Sequence, residues 1–182
     1  MPVASGSPEA TGHDGVVQVR AATTADLDDV RRLFRGFVRW HHARQGEDLP
    51  LVLRYFDEAA WEAELAGLPG AYAPPGGALL VADLDGSVVG CVALRALDAE
   101  RCEMKRMYVD DTGRGHGVGR ALGEAVVAAG RDAGHREMYL DTSVNQHEAI
   151  GLYRSLGFEE VGPYYDLPAE LRDWLVYFRK VL

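Results

Sequence analysis

The sequence predicts an α/β chain of α+β arrangement: one mixed, mostly antiparallel sheet of about six to seven strands, with helices on both faces. Three observations predict it. Residues 78–84 and 87–94 are apolar runs joined by Asp85-Gly86, the residue pair that suits a type I′ hairpin turn. Residues 102–109 alternate in character with period two and run into a glycine-dense turn at 113–119, which opens a helix. A further strand over 136–141 follows that helix, and strand–helix–strand order implies a parallel neighbour in an otherwise antiparallel sheet.

In chain order, residues 16–21 alternate and form the first strand. Thr23 and Thr24 are N-cap residues for a helix with acids in its first turn, and Leu27, Val30, Leu33, Phe34, Phe37, Val38 and His41 recur at helical spacing toward Gly46. That aromatic face reads as core. Asp57 caps a second helix over 58–65. A loop rich in proline and glycine, 69–77, leads into the hairpin, and a turn at 98–100 leads into the strand at 102–109. Gly134 closes the central helix. Another helix over 146–156 stops at Gly157, and strands at 158–161 and 174–181 finish the chain, with Tyr164, Tyr165, Asp166 and Pro168 in the loop between them. Residues 1–15 are small and polar, without the charged start or apolar core of an export signal, and read as a disordered tail before one domain over 16–182.

A chain of 182 residues supports one sizeable core rather than two domains. No apolar run reaches the ~18–20 residues of a membrane span, so no membrane association is expected and the expected setting is the cytoplasm. Acids outnumber bases 28 to 19, which argues against nucleic acid as a partner. Cys91 and Cys102 read as buried free thiols. His41 and His42 are adjacent and point apart on a helix, and no metal site is expected.

Glycines at 113, 115, 117 and 119 are too dense for a regular element and suit a backbone that must closely approach a ligand. At a helix start, free N–H groups and the positive end of the helix dipole make an anion site, to which Arg114 and Arg120 add charge. The lysine of a Walker A loop is absent, and a G-x-G-x-x-G fingerprint fails at Arg120 and Leu122. The pattern that fits is R-x-x-G-x-G, filled by Arg114, Gly117 and Gly119. A second element, A-I-x-L-Y-x-x-x-G-F, is filled by residues 149–158. Together these resemble the acyl-CoA elements of the GNAT superfamily of N-acetyltransferases, and the resemblance extends over most of the chain.

The resemblance implies acetyl-CoA as co-substrate, a splayed parallel strand pair forming its cleft and a homodimer; it names no acceptor, and a primary amine of a small molecule or amino acid is expected ahead of a protein terminus. It places Arg114, Gly115, His116, Gly117, Val118, Gly119 and Arg120 at the pyrophosphate, His116 through its backbone alone. Met107, Tyr108 and Val109 lie at the acyl group through their amides. Where the family carries an asparagine ahead of the alanine, this chain has Gln146 with Asn145 beside it, and Asn145 is the candidate cofactor contact. The first helix and the loop after it would bring Trp40, His41, Arg44 or Tyr55 to the acceptor. Tyr153 is the expected proton donor to the leaving thiolate. Glu103 is the candidate general base, on the strand face of Lys105, Met107 and Val109; a surface ion pair with Lys105 or Arg106 is the other reading of that carboxylate. Lys105 and Arg106 would alternatively hold an acidic group of the acceptor. A non-catalytic acyl-CoA sensor, or an enzyme for longer acyl chains, would share the same motifs.

Overall fold

A computed structural model describes residues 15–44 and 46–182; all but the last residue of the tail expected over 1–15 lies outside them. Among the described residues, thirteen strands and α-helices follow one another: β1 (Val17–Ala21), α1 (Leu27–Arg44), α2 (Leu49–Tyr55), α3 (Glu58–Ala66), β2 (Ala78–Leu84), β3 (Ser87–Ala96), β4 (Arg101–Val109), α4 (Val118–Asp132), β5 (Glu137–Ser143), α5 (His147–Ser155), β6 (Glu159–Val161), α6 (Ala169–Trp174) and β7 (Leu175–Val181). The strands form one seven-stranded sheet in the order β1-β2-β3-β4-β5-β7-β6. Only β4 and β5 are parallel. The expected fold class is the one found.

Local chemistry accounts for the elements that were expected. Asp85 and Gly86 both take positive φ, 52° and 83°, as a type I′ turn demands, and lock β2 against β3. Asp57 accepts a hydrogen bond from the Ala60 amide at 2.9 Å and starts α3. Two short helices were not expected. The segment after α1 and the segment before β7 contain α2 and α6, of seven and six residues. Neither is long enough to display a helical period. Each is held by what it buries, Val52 in one and Leu171 and Trp174 in the other.

The sheet separates two cores. On one face α4 and α5 cover Leu94, Met104, Leu122, Val126, Leu140 and Phe178. On the other, α1, α2, α3 and α6 cover Val81, Cys91 and Ala93 with Phe34, Phe56 and Trp61. Both cysteines are buried and free, as expected.

Two irregularities in β4 position the site. The parallel pairing with β5 spans only Arg101–Glu103 against Glu137–Tyr139, after which the strands part. On its other edge, Lys105 faces Ala93 and Tyr108 faces Cys91, so two residues of β4 stand opposite one of β3. Arg106, at φ 58°, occupies this bulge. Alternation is therefore reversed across it. Glu103 and Lys105 face the α1–α3 side, whereas Met107 and Val109 pack against the core under α4. The expectation that these four side chains share a face is incorrect, because the bulge adds one residue to the count.

Candidate active site

The gap between β4 and β5 opens a cavity of about 260 Å³. Met104–Val109 (104–109) and Leu140–Ser143 (140–143) form two of its walls; Phe37, Trp40 and His41 of α1 close the third, and Ala149, Leu152 and Tyr153 of α5 the fourth. Arg114 and Gly119 of the glycine-rich segment stand at its rim. The cavity thus passes from one face of the sheet to the other.

At the α4 end, Gly117 is the N-cap residue, in the left-handed conformation at φ 75°, with no side chain capping the helix. A Cβ there would meet no neighbour within 4 Å, so backbone conformation, not space, demands glycine. Residues 114–117 are exposed, and the first amides of α4 are available to an anion. Arg114 is paired with Asp111 at 2.6 Å, with its guanidinium 5.9 and 6.0 Å from the Trp40 and Tyr108 ring centroids. Arg120 donates to Ser155 Oγ at 2.9 Å. The His116 ring lies on the surface against the Arg114 carbonyl, which leaves its backbone as the part near α4.

Tyr153 is buried between Phe158 and Phe178 and lines the cavity. Its hydroxyl has no hydrogen-bond partner among the described residues. Burial, helped by the charge of Asp141, raises the phenol well above its ordinary value, so it carries its proton at neutral pH.

Glu103 does not line the cavity. Its carboxylate is 1% exposed, accepting from Arg95 Nε at 2.6 Å, the Tyr164 hydroxyl at 2.6 Å and Lys105 Nζ at 3.4 Å. It is neither the pocket-facing base nor the surface pair that the sequence suggested. The carboxylate that does line the cavity is Asp141, on β5. It accepts from the hydroxyls of Tyr55 at 2.6 Å, Tyr165 at 3.0 Å and Tyr164 at 3.2 Å, with Lys105 Nζ at 3.7 Å. Burial pushes its carboxyl up, but the Lys105 charge and the three hydroxyls outweigh that and hold it below the usual range. Lys105 is the mirror case: burial lowers it, and Asp141 and Glu103 more than restore it. Sequence reasoning passed over Asp141. Its face of β5 reads Glu137, Tyr139, Asp141 and Ser143, polar throughout, so nothing in the strand's pattern singled it out.

Asn145 is likewise displaced from its expected place. Its side chain donates to Asp48 Oδ2 at 2.6 Å, an oxygen that also accepts from Trp174 Nε1 at 3.1 Å. Gln146 lines the cavity instead, with its amide 3.0 Å from His41 Nε2. His41 is buried, and burial, with the nearby His42 and Arg106, lowers its pKa to about 4. Of the other acceptor candidates, Trp40 and Tyr55 reach the cavity, while Arg44 stacks on Trp40 without lining it. Among the described residues, no cluster of three or more His, Cys, Asp or Glu could hold a metal ion, and no helix is long and apolar enough to cross a membrane.

A sheet opened between its one parallel pair, with a glycine-led helix start at the rim, is the architecture of an acyl-transferring enzyme. The model of the acetyltransferase (GNAT) family matches residues 27–158, and the chain belongs to that family and is an acyltransferase. An uncharacterised N-acetyltransferase of Schizosaccharomyces pombe is 34% identical over 145 residues, covering 79% of this chain and 82% of the relative. Human N-acetylaspartate synthetase is 36% identical over 135 residues, 72% of this chain, which spans only 43% of that enzyme. Among solved structures, a candidate acetyltransferase of Salmonella typhimurium with its cofactor acetyl-CoA superposes with a TM-score of 0.59 at 20% identity. That match covers 91% of this chain and 93% of the other.

Proposed function

We propose that this chain transfers an acetyl group from acetyl-CoA to the primary amine of a small molecule or amino acid, by direct attack within a ternary complex. The observation that carries the reading is the juxtaposition of the proton-bearing Tyr153 with the unpaired stretch of β4 across one cavity. The presence of acetyl-CoA in the Salmonella structure supports the choice of donor. When bound, acetyl-CoA supplies an activated thioester, and the chain's own groups do the rest.

Arg114 and the backbone of residues 115–120 hold the pyrophosphate. The edge of β4 beyond Glu103 has no strand partner, so its amides are open to the extended arm of the cofactor in the manner of an added strand. An amide within Met107, Tyr108 and Val109 faces the negative charge that develops on the acyl oxygen. Tyr153 gives its proton to the departing thiolate and is reprotonated by the proton that the amine nitrogen sheds in becoming an amide. The buried bases that line the cavity, His41 and Asp141, are both shifted toward weaker basicity. Free amine is therefore drawn from solution, and kcat/KM should climb with pH toward the pKa of the acceptor. The family resemblance extends the proposal to a cytoplasmic homodimer.

The test is CoA release from acetyl-CoA across a panel of amines, amino acids and peptides, with wild type and Tyr153→Phe. Turnover of one acceptor class is expected, with kcat reduced about 100-fold by the substitution and acetyl-CoA affinity retained. Equal turnover by the variant would remove Tyr153 from the chemistry. Binding without turnover would favour a sensor, tighter binding of longer acyl-CoAs a different donor, and no binding of acetyl-CoA would overturn the reading.

A further inference from the structure

A second pocket, of about 250 Å³, adjoins the cleft on the α1–α3 side. Its walls include Arg54, Arg95, Lys105 and Arg106, together with Tyr55 and Tyr165. Tyr55, Lys105 and Arg106 also line the main cavity, so these three side chains form the boundary between the two spaces. Four cations around one small pocket are unexpected in a chain of net charge −9.

Each cation has an acidic partner, and the positions of those partners are informative. Arg106 is held by Glu64 at 2.7 Å, Arg95 by Glu103 at 2.6 Å, Arg54 by Glu170 at 3.3 Å, and Lys105 lies between Glu103 and Asp141. None of these four acids lines the side pocket. The carboxylates stand behind the cations and the positive ends face in.

Donors also remain unspent. Arg106 gives Nε and Nη2 to Glu64, and Arg95 gives only Nε to Glu103. Nη1 of Arg106 and both terminal nitrogens of Arg95 have no acceptor among the described residues. The Arg106 guanidinium is fixed further by lying 4.7 Å from the Trp61 ring centroid and 5.5 Å from that of Phe56. The bulge supplies an independent pointer. Arg106 sits at φ 58°, a costly conformation for a residue other than glycine. Its effect is to put two successive cations, Lys105 and Arg106, on one side of the strand.

From this arrangement we infer that the acceptor amine also carries a carboxylate, which the side pocket receives while the amino group reaches across Tyr55 and Lys105 into the cleft. The chemical class is an amino acid or similar short amino-carboxylate, not a polyamine or amino sugar. The inference rests on the acetyltransferase reading for the amine and adds the anionic group to it. Planar guanidinium forks match carboxylates, and the apolar Leu167 and Leu171 in the same pocket leave room for a carbon chain.

The experiment compares matched probes: amino acids beside their α-carboxamides and decarboxylated amines, and glutamate beside glutamine. In each pair the probe with the additional carboxylate should show kcat/KM about tenfold or more above its neutral partner. Arg95→Gln should raise KM for the carboxylate probes about tenfold, abolish the discrimination and leave the Kd for acetyl-CoA unchanged. Arg54→Gln, at an exposed side chain, should do the same to a smaller extent. Equal or better use of the uncharged partners, or an Arg95→Gln effect alike on both members of a pair, overturns the inference while leaving the acetyltransferase in place. Should no amine turn over, calorimetry in the presence of CoA with N-acetylglutamate and its diamide decides. Binding of the acid alone, lost in Arg95→Gln, supports the pocket even as the enzymatic reading fails, and equal or absent binding overturns it.

Discussion

On the α4–α5 side of the sheet, Leu122, Val126, Leu140 and Phe178 make an apolar core, and the loop in front of it offers chiefly backbone to a ligand. On the α1–α3 side, His41, Glu103, Lys105, Arg106 and Asp141 are buried or nearly so among Phe37, Tyr55, Phe56, Trp61 and Tyr164. One face presents peptide groups that every sequence possesses, given glycines to expose them. The other presents side chains whose charges must be balanced one against another. The first is robust to most substitutions outside its glycines. The second is a network in which each member holds the others.

The largest effect that would sharpen this contrast is Glu103→Ala. Removing the buried carboxylate strands Arg95, Lys105 and Tyr164 together, and a loss of about 3–5 kcal/mol in denaturant unfolding is expected. Intact stability with abolished turnover would break the contrast and return Glu103 to the chemistry. Next is acid. His41 has a folded pKa of about 4 against an ordinary 6.5, so its neutral ring costs nothing above that upper value. As pH falls from there, the unfolded chain takes up a proton that the folded chain refuses, with a limiting loss of about 3 kcal/mol. His41→Gln should flatten that part of the stability profile; an unchanged slope would assign it to other groups. The smallest is Gly117→Val. A β-branched residue in the left-handed region costs about 1–2 kcal/mol, and acetyl-CoA affinity by calorimetry should fall about tenfold with the fold intact. Unchanged affinity would mean that the cap conformation does not serve the ligand.

The same contrast explains what was legible in the sequence. Arg114, Gly117 and Gly119 lie within six consecutive residues, and Ala149 to Phe158 within ten; local motifs of this kind made the family readable directly. The Asp85-Gly86 hairpin and the Asp57 cap were readable for the same reason. The charged network on the α1–α3 side joins residues far apart in the chain. Tyr55 meets Asp141 across 86 positions, Arg106 meets Glu64 across 42, and Asn145 meets Asp48 across 97. No spacing rule finds such pairs. Glu103 was misjudged for a subtler reason: period-two counting along β4 is valid until an extra residue enters, and nothing in Lys105-Arg106-Met107 marks the point.

That extra residue makes β4 two strands with opposite reading frames joined in line. Odd-numbered positions before the bulge belong to the buried charged network, while those after it belong to the core under α4. Even-numbered positions trade places in the same way, Met104 with one face and Tyr108 with the other. A one-residue deletion at Arg106 would close the bulge and make β4 an ordinary alternating strand. Met107 and Tyr108 would keep the faces they now occupy, in even register with β3, but the second cation beside Lys105 would be gone. Length, at this point in the strand, specifies the site as strictly as sequence does.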